Sequence, residues 1–243
     1  QTAAFGIRLE YDSTARRTYI LDVFETGPAF PQGFDRGVEL LSVGPNASSL
    51  QSISTLMASG GPNAVIDALG PSTAGLQRTF RIREVSGTER QVTVTKADFP
   101  LDPLSDRYGA RILNDAGKKV GYINMRTFIS TADNQLRTAF ADFRAQGITN
   151  IVIDFRYNGG GLVSTAELMG DLLGGSRSTS DVFSVTRFRA SKASNNDTRR
   201  FAPQPQSVAP VKVAFITTNA TASASELVMN SFIPYLGVNA ALI

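Results

Sequence analysis

A continuous apolar run, Ile151-Val152-Ile153, ends in charge at Asp154-Phe155-Arg156 and is followed by Tyr157-Asn158-Gly159-Gly160-Gly161. After the glycines, Leu162, Ala166, Met169 and Leu173 fall on one face at helical spacing, and Gly174-Gly175 stops the pattern. A strand, a glycine turn and a helix in this order restrict the chain around them to an α/β layout. The flanking segments agree. Val120-Gly121-Tyr122-Ile123-Asn124-Met125 reads as another strand, and Ser130 to Gln146 as an amphipathic helix. That helix starts at Ser130-x-x-Asp133, carries Leu136, Ala139, Phe140 and Phe143 on one face, and stops at Gly147.

The glycine run also has a chemical reading. Bare amides at the start of a helix can approach a ligand closely, and the helix dipole favours negative charge there. No Gly-Lys-Ser/Thr follows, and Ser164 stands where a dinucleotide fingerprint has its last glycine, so nucleotide binding is not indicated. Two readings remain, an oxyanion hole for a nearby nucleophile and a tight turn that needs positive φ.

A second strand-to-helix junction lies about sixty residues further on. Val211-Lys212-Val213-Ala214-Phe215-Ile216 reads as a buried strand, Ala220-Thr221-Ala222-Ser223-Ala224-Ser225-Glu226 as the turn, and Leu227 to about Phe232 as a helix. A serine at such a turn holds its hydroxyl up beside the free N–H groups of the helix start, which suits a nucleophile whose oxyanion those amides hold. The same residues, Ser223-x-x-Glu226, also form a capping box, which needs no function beyond starting a helix.

Composition narrows the chemistry. The chain of 243 residues contains no cysteine and no histidine. Disulfides, thiol catalysis, histidine- or cysteine-ligated metal and a Ser-His-Asp triad are thereby excluded within it. Neither a metal nor a cofactor is expected. If Ser223 is a nucleophile, its base is a lysine or a group from elsewhere. The formal charge is only +3, and the one basic cluster, Arg187, Arg189, Lys192, Arg199 and Arg200, reads as a solvated hairpin without a nucleic-acid module signature. The polar stretch Ala190 to Arg200 is expected to be mobile. No apolar run approaches 18 residues, so no membrane-spanning helix is indicated, and the start at Gln1 suggests a removed leader or a shortened chain.

The first hundred residues differ in texture. Phe5-Gly6-Ile7-Arg8-Leu9, Tyr19 to Phe24 and Val38 to Val43 read as strands, with short helices at Ser52 to Ala58 and Pro62 to Leu69. Thr79 to Val85 and Arg90 to Lys96 alternate apolar and polar residues around Ser86-Gly87-Thr88-Glu89, as a hairpin with one buried face does. The prolines of Phe99-Pro100-Leu101-Asp102-Pro103-Leu104 mark a boundary, dividing the chain into residues 1–98, a linker 99–107 and residues 108–243.

Two resemblances join these segments. Phe5-Gly6-Ile7, Thr26-Gly27-Pro28-Ala29 and Arg36-Gly37-Val38-Glu39-Leu40-Leu41-Ser42-Val43 resemble, in that order, the carboxylate-binding loop, the turn and a strand of a circularly permuted PDZ domain. Valine stands at 38 where that family usually has aspartate. Such a module binds an extended peptide along an edge strand, with its terminal carboxylate on the loop amides of Phe5, Gly6 and Ile7. Asp154-Phe155-Arg156-Tyr157-Asn158-Gly159-Gly160-Gly161 followed by Thr221-Ala222-Ser223-Ala224-Ser225-Glu226 resembles the carboxyl-terminal processing, or tail-specific, serine proteases.

This second resemblance implies a crotonase/ClpP-like α/β core behind the PDZ-like domain. Ser223 takes the nucleophile's position, and the amides of Gly159, Gly160 and Ala224 are the oxyanion-hole candidates. The implied substrate is a protein or peptide with a free C-terminus, and the implied location is the periplasm, cell envelope or exterior. Assembly into an oligomer is compatible with it. The family's base is a lysine about two dozen residues past the serine, with a glutamine beyond it, whereas this chain stops at Ile243 inside the apolar run Val238 to Ile243. The expectation is therefore a truncated core, inactive by itself. The alternatives are a non-catalytic peptide-binding protein that kept the fold without the base, and a crotonase-like acyl-CoA enzyme, which would not need Ser223.

Overall fold

The computed structural model describes residues 3–243. It has two compact units, one ending at Leu101 and the other spanning Asp102–Ile243.

The first unit is a six-stranded antiparallel sheet with one broken helix. β1 (Ile7–Asp12), β2 (Arg17–Val23), β3 (Glu39–Gly44), β5 (Gln77–Arg83) and β6 (Glu89–Thr95) follow one another across the sheet, and the two-residue β4 (Gln51–Ser52) pairs with β3. The helix α1 (Ile53–Leu69) forms one run in which Gly61, at φ 63°, precedes Pro62 and separates two helical halves. These halves are the two short helices expected from the sequence. Gly70, at φ 73°, ends the second. The core is aromatic at its centre, where the rings of Phe5 and Phe34 meet Phe80 edge-on at 5.2 and 5.4 Å between centroids. β1 is an edge strand, and a single bridge between Ala4 and Ala97 links its approach to the end of β6.

The second unit is built on a mixed five-stranded sheet in the order β13-β12-β9-β8-β7. β8 (Lys118–Asn124), β9 (Asn150–Asp154), β12 (Lys212–Ile216) and β13 (Ala240–Leu242) are mutually parallel, and β7 (Ala110–Asp115) runs antiparallel at the edge. The crossovers contain α2 (Ala132–Ala145), α3 (Val163–Leu173) and α4 (Ala224–Leu236). Their apolar faces share one core with the strands, among them Phe140 and Phe143 of α2, Met169 and Leu172 of α3, Val228 and Phe232 of α4, and Ile153 and Phe215 of the sheet.

Three elements depart from the sequence reading. β7 was not foreseen; it carries mostly exposed residues and no apolar alternation. α4 runs four residues past Phe232 and accommodates Pro234 near its end. The segment expected to be mobile, Ala190 to Arg200, ends in a strand, β11 (Asp197–Arg200), paired with β10 (Val182–Thr186). Charge explains its order. Arg199 reaches the buried Asp171 at 2.7 Å and Glu167 at 3.3 Å, and the other oxygen of Asp171 accepts the Ala202 N–H at 2.7 Å.

Candidate active site

Because β8, β9 and β12 are parallel and adjacent, their carboxyl ends lie side by side, and the loops leaving them can meet. This is the edge at which open α/β sheets place their sites. Both junctions singled out in the sequence emerge there.

The base of the site is an ion pair between a buried carboxylate, Asp154, and an exposed guanidinium, Arg156. Asp154, the last residue of β9, is fully buried and accepts from Arg156 Nη2 at 2.6 Å and from the Tyr122 hydroxyl at 2.7 Å. The Arg156 backbone N–H adds a bond of 3.0 Å. Burial by itself raises the carboxyl's pKa, but the bonds from Arg156 and Tyr122 outweigh it and hold Asp154 below the usual range. Tyr122 is pushed up to about 12, by burial first and by its bond to Asp154 second. A depressed carboxylate contributes stability that is present above its unfolded pKa and lost as pH falls through the folded one. Asp154→Asn is therefore expected to melt well below the parent at neutral pH, with the gap closing below about pH 4. Melting curves at several pH values check this, and a gap constant with pH would contradict it.

Above that base, the two loops are laced together. Phe155 N–H donates to the Ile216 carbonyl at 2.8 Å, Tyr157 N–H to Thr218 Oγ1 at 3.2 Å, and Thr221 Oγ1 to the Phe155 carbonyl at 2.8 Å. Tyr157 takes φ 63°, a left-handed conformation rare outside glycine. Asn158, fully buried, fixes three strands' loops at once. Its Nδ2 donates to the Met125 carbonyl beyond β8 at 2.9 Å, and its Oδ1 accepts the Gly160 N–H at 2.9 Å. Its own carbonyl accepts the Ala222 N–H at 3.2 Å and Ser225 Oγ at 3.0 Å, both from the turn after β12.

The glycine loop and the serine turn touch. A Cβ on Gly160, which has φ +100°, would lie 2.7 Å from Ser223 Cβ and 2.8 Å from Ala224 N. One on Gly161, at φ +140°, would lie within 2.1 Å of the Phe128 carbonyl. Phe128 is tied in on both sides, its N–H donating to the Gly160 carbonyl and its carbonyl accepting the Leu162 N–H. Close approach is what this glycine pair permits.

Ser223 itself is exposed and sits at φ 57°, ψ −117°. Its N–H donates to Glu226 Oε2 at 2.8 Å, so the glutamate of the capping box bonds back to the serine as that motif implies. Of the three amides expected to face the serine, Gly160's is engaged by Asn158 Oδ1, so that residue contributes room rather than a donor. Among the described residues, the N–H groups of Gly159 and Ala224 have no acceptor. Lys212 opens β12, whereas the serine turn leaves its other end. Asn158 appeared in the sequence only as part of a motif. Its bond to the amide two residues on is an Asx turn, a signal that an asparagine before a glycine run carries.

The first unit presents a second feature. The Phe5 carbonyl accepts the Ala29 N–H at 2.9 Å and the Gly6 carbonyl the Phe24 N–H at 2.8 Å, while a Cβ on Gly6 would lie 2.7 Å from Gly27 Cα. The Phe5-Gly6-Ile7 loop thus packs on the Thr26-to-Ala29 turn. Beside it, between edge strand β1 and the second half of α1, runs a groove of about 280 Å³ lined by Phe5, Ile7, Leu9, Tyr11, Ile66, Leu69 and Lys96.

These features define an α/β protein that displays a serine at a strand–helix turn, packed on a glycine loop, together with a β-rich unit that has an open sheet edge. Comparison with known proteins is specific. Residues 119–233 match the model of peptidase family S41. It is 27% identical over 195 residues to the chloroplastic C-terminal processing peptidase of Tetradesmus obliquus, covering 74% of this chain and 40% of that one. It is 33% identical over 76 residues to a carboxyl-terminal-processing protease of Picosynechococcus, covering 31% of this chain and 17% of that protein. A Bacteroides fragilis NCTC 9343 crystal structure assigned to the S41 proteases shares the fold, with a TM-score of 0.73 and 23% identity over 99% of this chain and 63% of that chain. The chain thus spans under half the length of the curated relatives it matches.

Proposed function

We propose that this chain carries the nucleophile of a serine endopeptidase of the carboxyl-terminal processing type. The carrying observation is an exposed Ser223, strained at φ 57°, at the start of a helix whose first N–H, that of Ala224, has no acceptor. In this reading Ser223 Oγ attacks the scissile carbonyl, and the oxyanion is held by the amides of Ala224 and Gly159. A lysine kept uncharged by desolvation takes the hydroxyl proton and returns it to the leaving amine. The Asp154–Arg156 base and Asn158 keep both donors in place and touch no substrate.

The first unit serves in the same reading as a PDZ-like peptide-binding module. An extended chain adds to the free edge of β1, its side chains enter the groove against α1, and its carboxylate meets the Phe5-Gly6-Ile7 loop. The substrate class is then a protein or peptide with a free C-terminus. A permuted PDZ order, a crotonase/ClpP-like core and a place in the cell envelope belong to the same proposal. A fluorophosphonate probe on the full gene product tests it. Covalent labelling mapped to Ser223, with hydrolysis of a peptide bearing a free C-terminus, is the expected result. Hydrolysis that persists without labelling at Ser223 would overturn it.

A further inference from the structure

The hairpin of β10 and β11 is held at its base and bare at its tip. Phe183 and Phe201 bury their rings edge-on at 5.4 Å between centroids, and Arg199 is matched by Asp171 and Glu167. Beyond them the backbone stays bonded, with the Phe188 N–H donating to Asn196 Oδ1 at 2.7 Å and the Lys192 N–H to the Arg189 carbonyl at 2.8 Å. Every residue from Val185 to Thr198 is exposed. Two of them are large and apolar, Val185 at 49% and Phe188 at 47%.

The charge at this tip is unanswered. Among the described residues, Arg187, Arg189 and Lys192 make no ion pair with an acid, and Arg200, also exposed, donates to the Ser180 carbonyl. Within the hairpin Asp197 is the lone acid set against these four cations. Phe188 stands between Arg187 and Arg189 in the chain, and among the described residues no ring or cation packs on it. Single exposed apolar residues are ordinary on a protein surface. What sets Phe188 and Val185 apart is their place inside an unpaired basic cluster.

We propose that this hairpin tip docks on an anionic phospholipid membrane, with Arg187, Arg189, Lys192 and Arg200 among the headgroup phosphates and Phe188 and Val185 at the acyl boundary. Such a bilayer is negative at its surface and apolar beneath, so it answers both features at once. Long basic stems keep their charges at the headgroups while a neighbouring ring goes deeper. Nucleic acid fits less well, because it is held by successive rings that stack its bases, and this tip carries one. An acidic protein would answer the charge without using Phe188. The proposal is independent of the peptidase reading and adds to it a place of action, the membrane surface.

The test is flotation of the 243-residue chain with vesicles of phosphatidylcholine alone and of equal parts phosphatidylcholine and phosphatidylglycerol. The chain is expected to float with the anionic vesicles and not with the neutral ones, and to be released as salt rises. Each cation near such a surface contributes about fivefold, so Arg187→Gln with Arg189→Gln should weaken binding roughly twentyfold. Phe188→Ser should weaken it about tenfold. The sequence has no tryptophan, so Phe188→Trp installs a single reporter whose emission should shift to the blue on anionic vesicles. Failure to bind anionic vesicles, equal binding to both kinds, or unchanged binding by the double variant overturns the proposal. Binding without an emission shift puts the contact elsewhere and overturns it as well. An equal shift with soluble polyglutamate or a single-stranded oligonucleotide overturns the membrane as the occupant.

Discussion

Replacing Ser223 with glycine is expected to leave the full protein inactive and more stable. The two effects come from two atoms of one side chain, the loss of activity from Oγ and the gain in stability from Cβ. Ser223 holds φ 57° and ψ −117°, a combination that strains any residue with a Cβ by about 1–3 kcal/mol. Glycine relieves that strain and, as a cap, loses only a few tenths of a kcal/mol relative to serine. A net gain of about 1 kcal/mol follows, a rise of roughly 2–4 °C in melting temperature for a chain of this size. With Ser223 as the proposed nucleophile, its removal should lower hydrolysis by about 10³-fold or more. Ser223→Ala is the control: it loses activity equally but keeps the Cβ, and with it the strain. Calorimetry beside a peptide-cleavage assay checks both. If glycine and alanine melt together, the backbone at 223 stores no strain.

Gly160→Ala is the second large effect, and here the catalytic loss comes without touching the reacting groups. The added methyl would lie 2.7 Å from Ser223 Cβ, 2.8 Å from Ala224 N and 2.9 Å from the Ala222 carbonyl, at a backbone φ of +100°. Two of those three atoms are backbone, so no flexible side chain can yield. Moving the serine by even 1 Å can lower a rate about 10²-fold, and overpacking adds about 1–3 kcal/mol of destabilisation. Activity should therefore fall at least about a hundredfold in protein that is still folded, with labelling of Ser223 slowed in proportion. Gly117, at φ +84° in a turn where a Cβ would meet nothing within 4 Å, is the comparison. Gly117→Ala should cost about 1 kcal/mol in stability and leave the labelling rate unchanged.

Much of this arrangement was legible in the sequence because its signals were local. The strand–glycine–helix and strand–serine–helix junctions name their own geometry through apolar runs, caps and glycine. The parallel pairing of β9 with β12 then brings them together, since Phe215 lies opposite Ile153 and Ile216 opposite Asp154. What was not legible lies between segments. Asn158 matters through bonds to Met125 and Ala222, and Gly160's amide is engaged by a side chain two residues away rather than facing the serine. β7 was missed because its residues are mostly exposed, which leaves no periodic apolar signal to read. Order in β11 comes from Arg199 meeting Asp171 across 28 positions, a contact that segment composition does not encode.

The open edge of β1 carries a liability as well as its proposed use. A strand left free to accept a partner is equally free to accept the same strand of another copy, and unprotected edges of this kind seed sheet-to-sheet aggregation. β1 bears two guards against that outcome. Its pairing with β2 slips between Arg8 and Leu9, which bends and twists the strand out of the flat form that stacking copies require. Charged Arg8, Glu10 and Asp12 alternate with the apolar residues along it, so a parallel copy in register would set like charges side by side. A single flexible chain can follow a twisted edge more readily than a second rigid sheet can, so the bend favours pairing with a lone strand over sheet-to-sheet stacking.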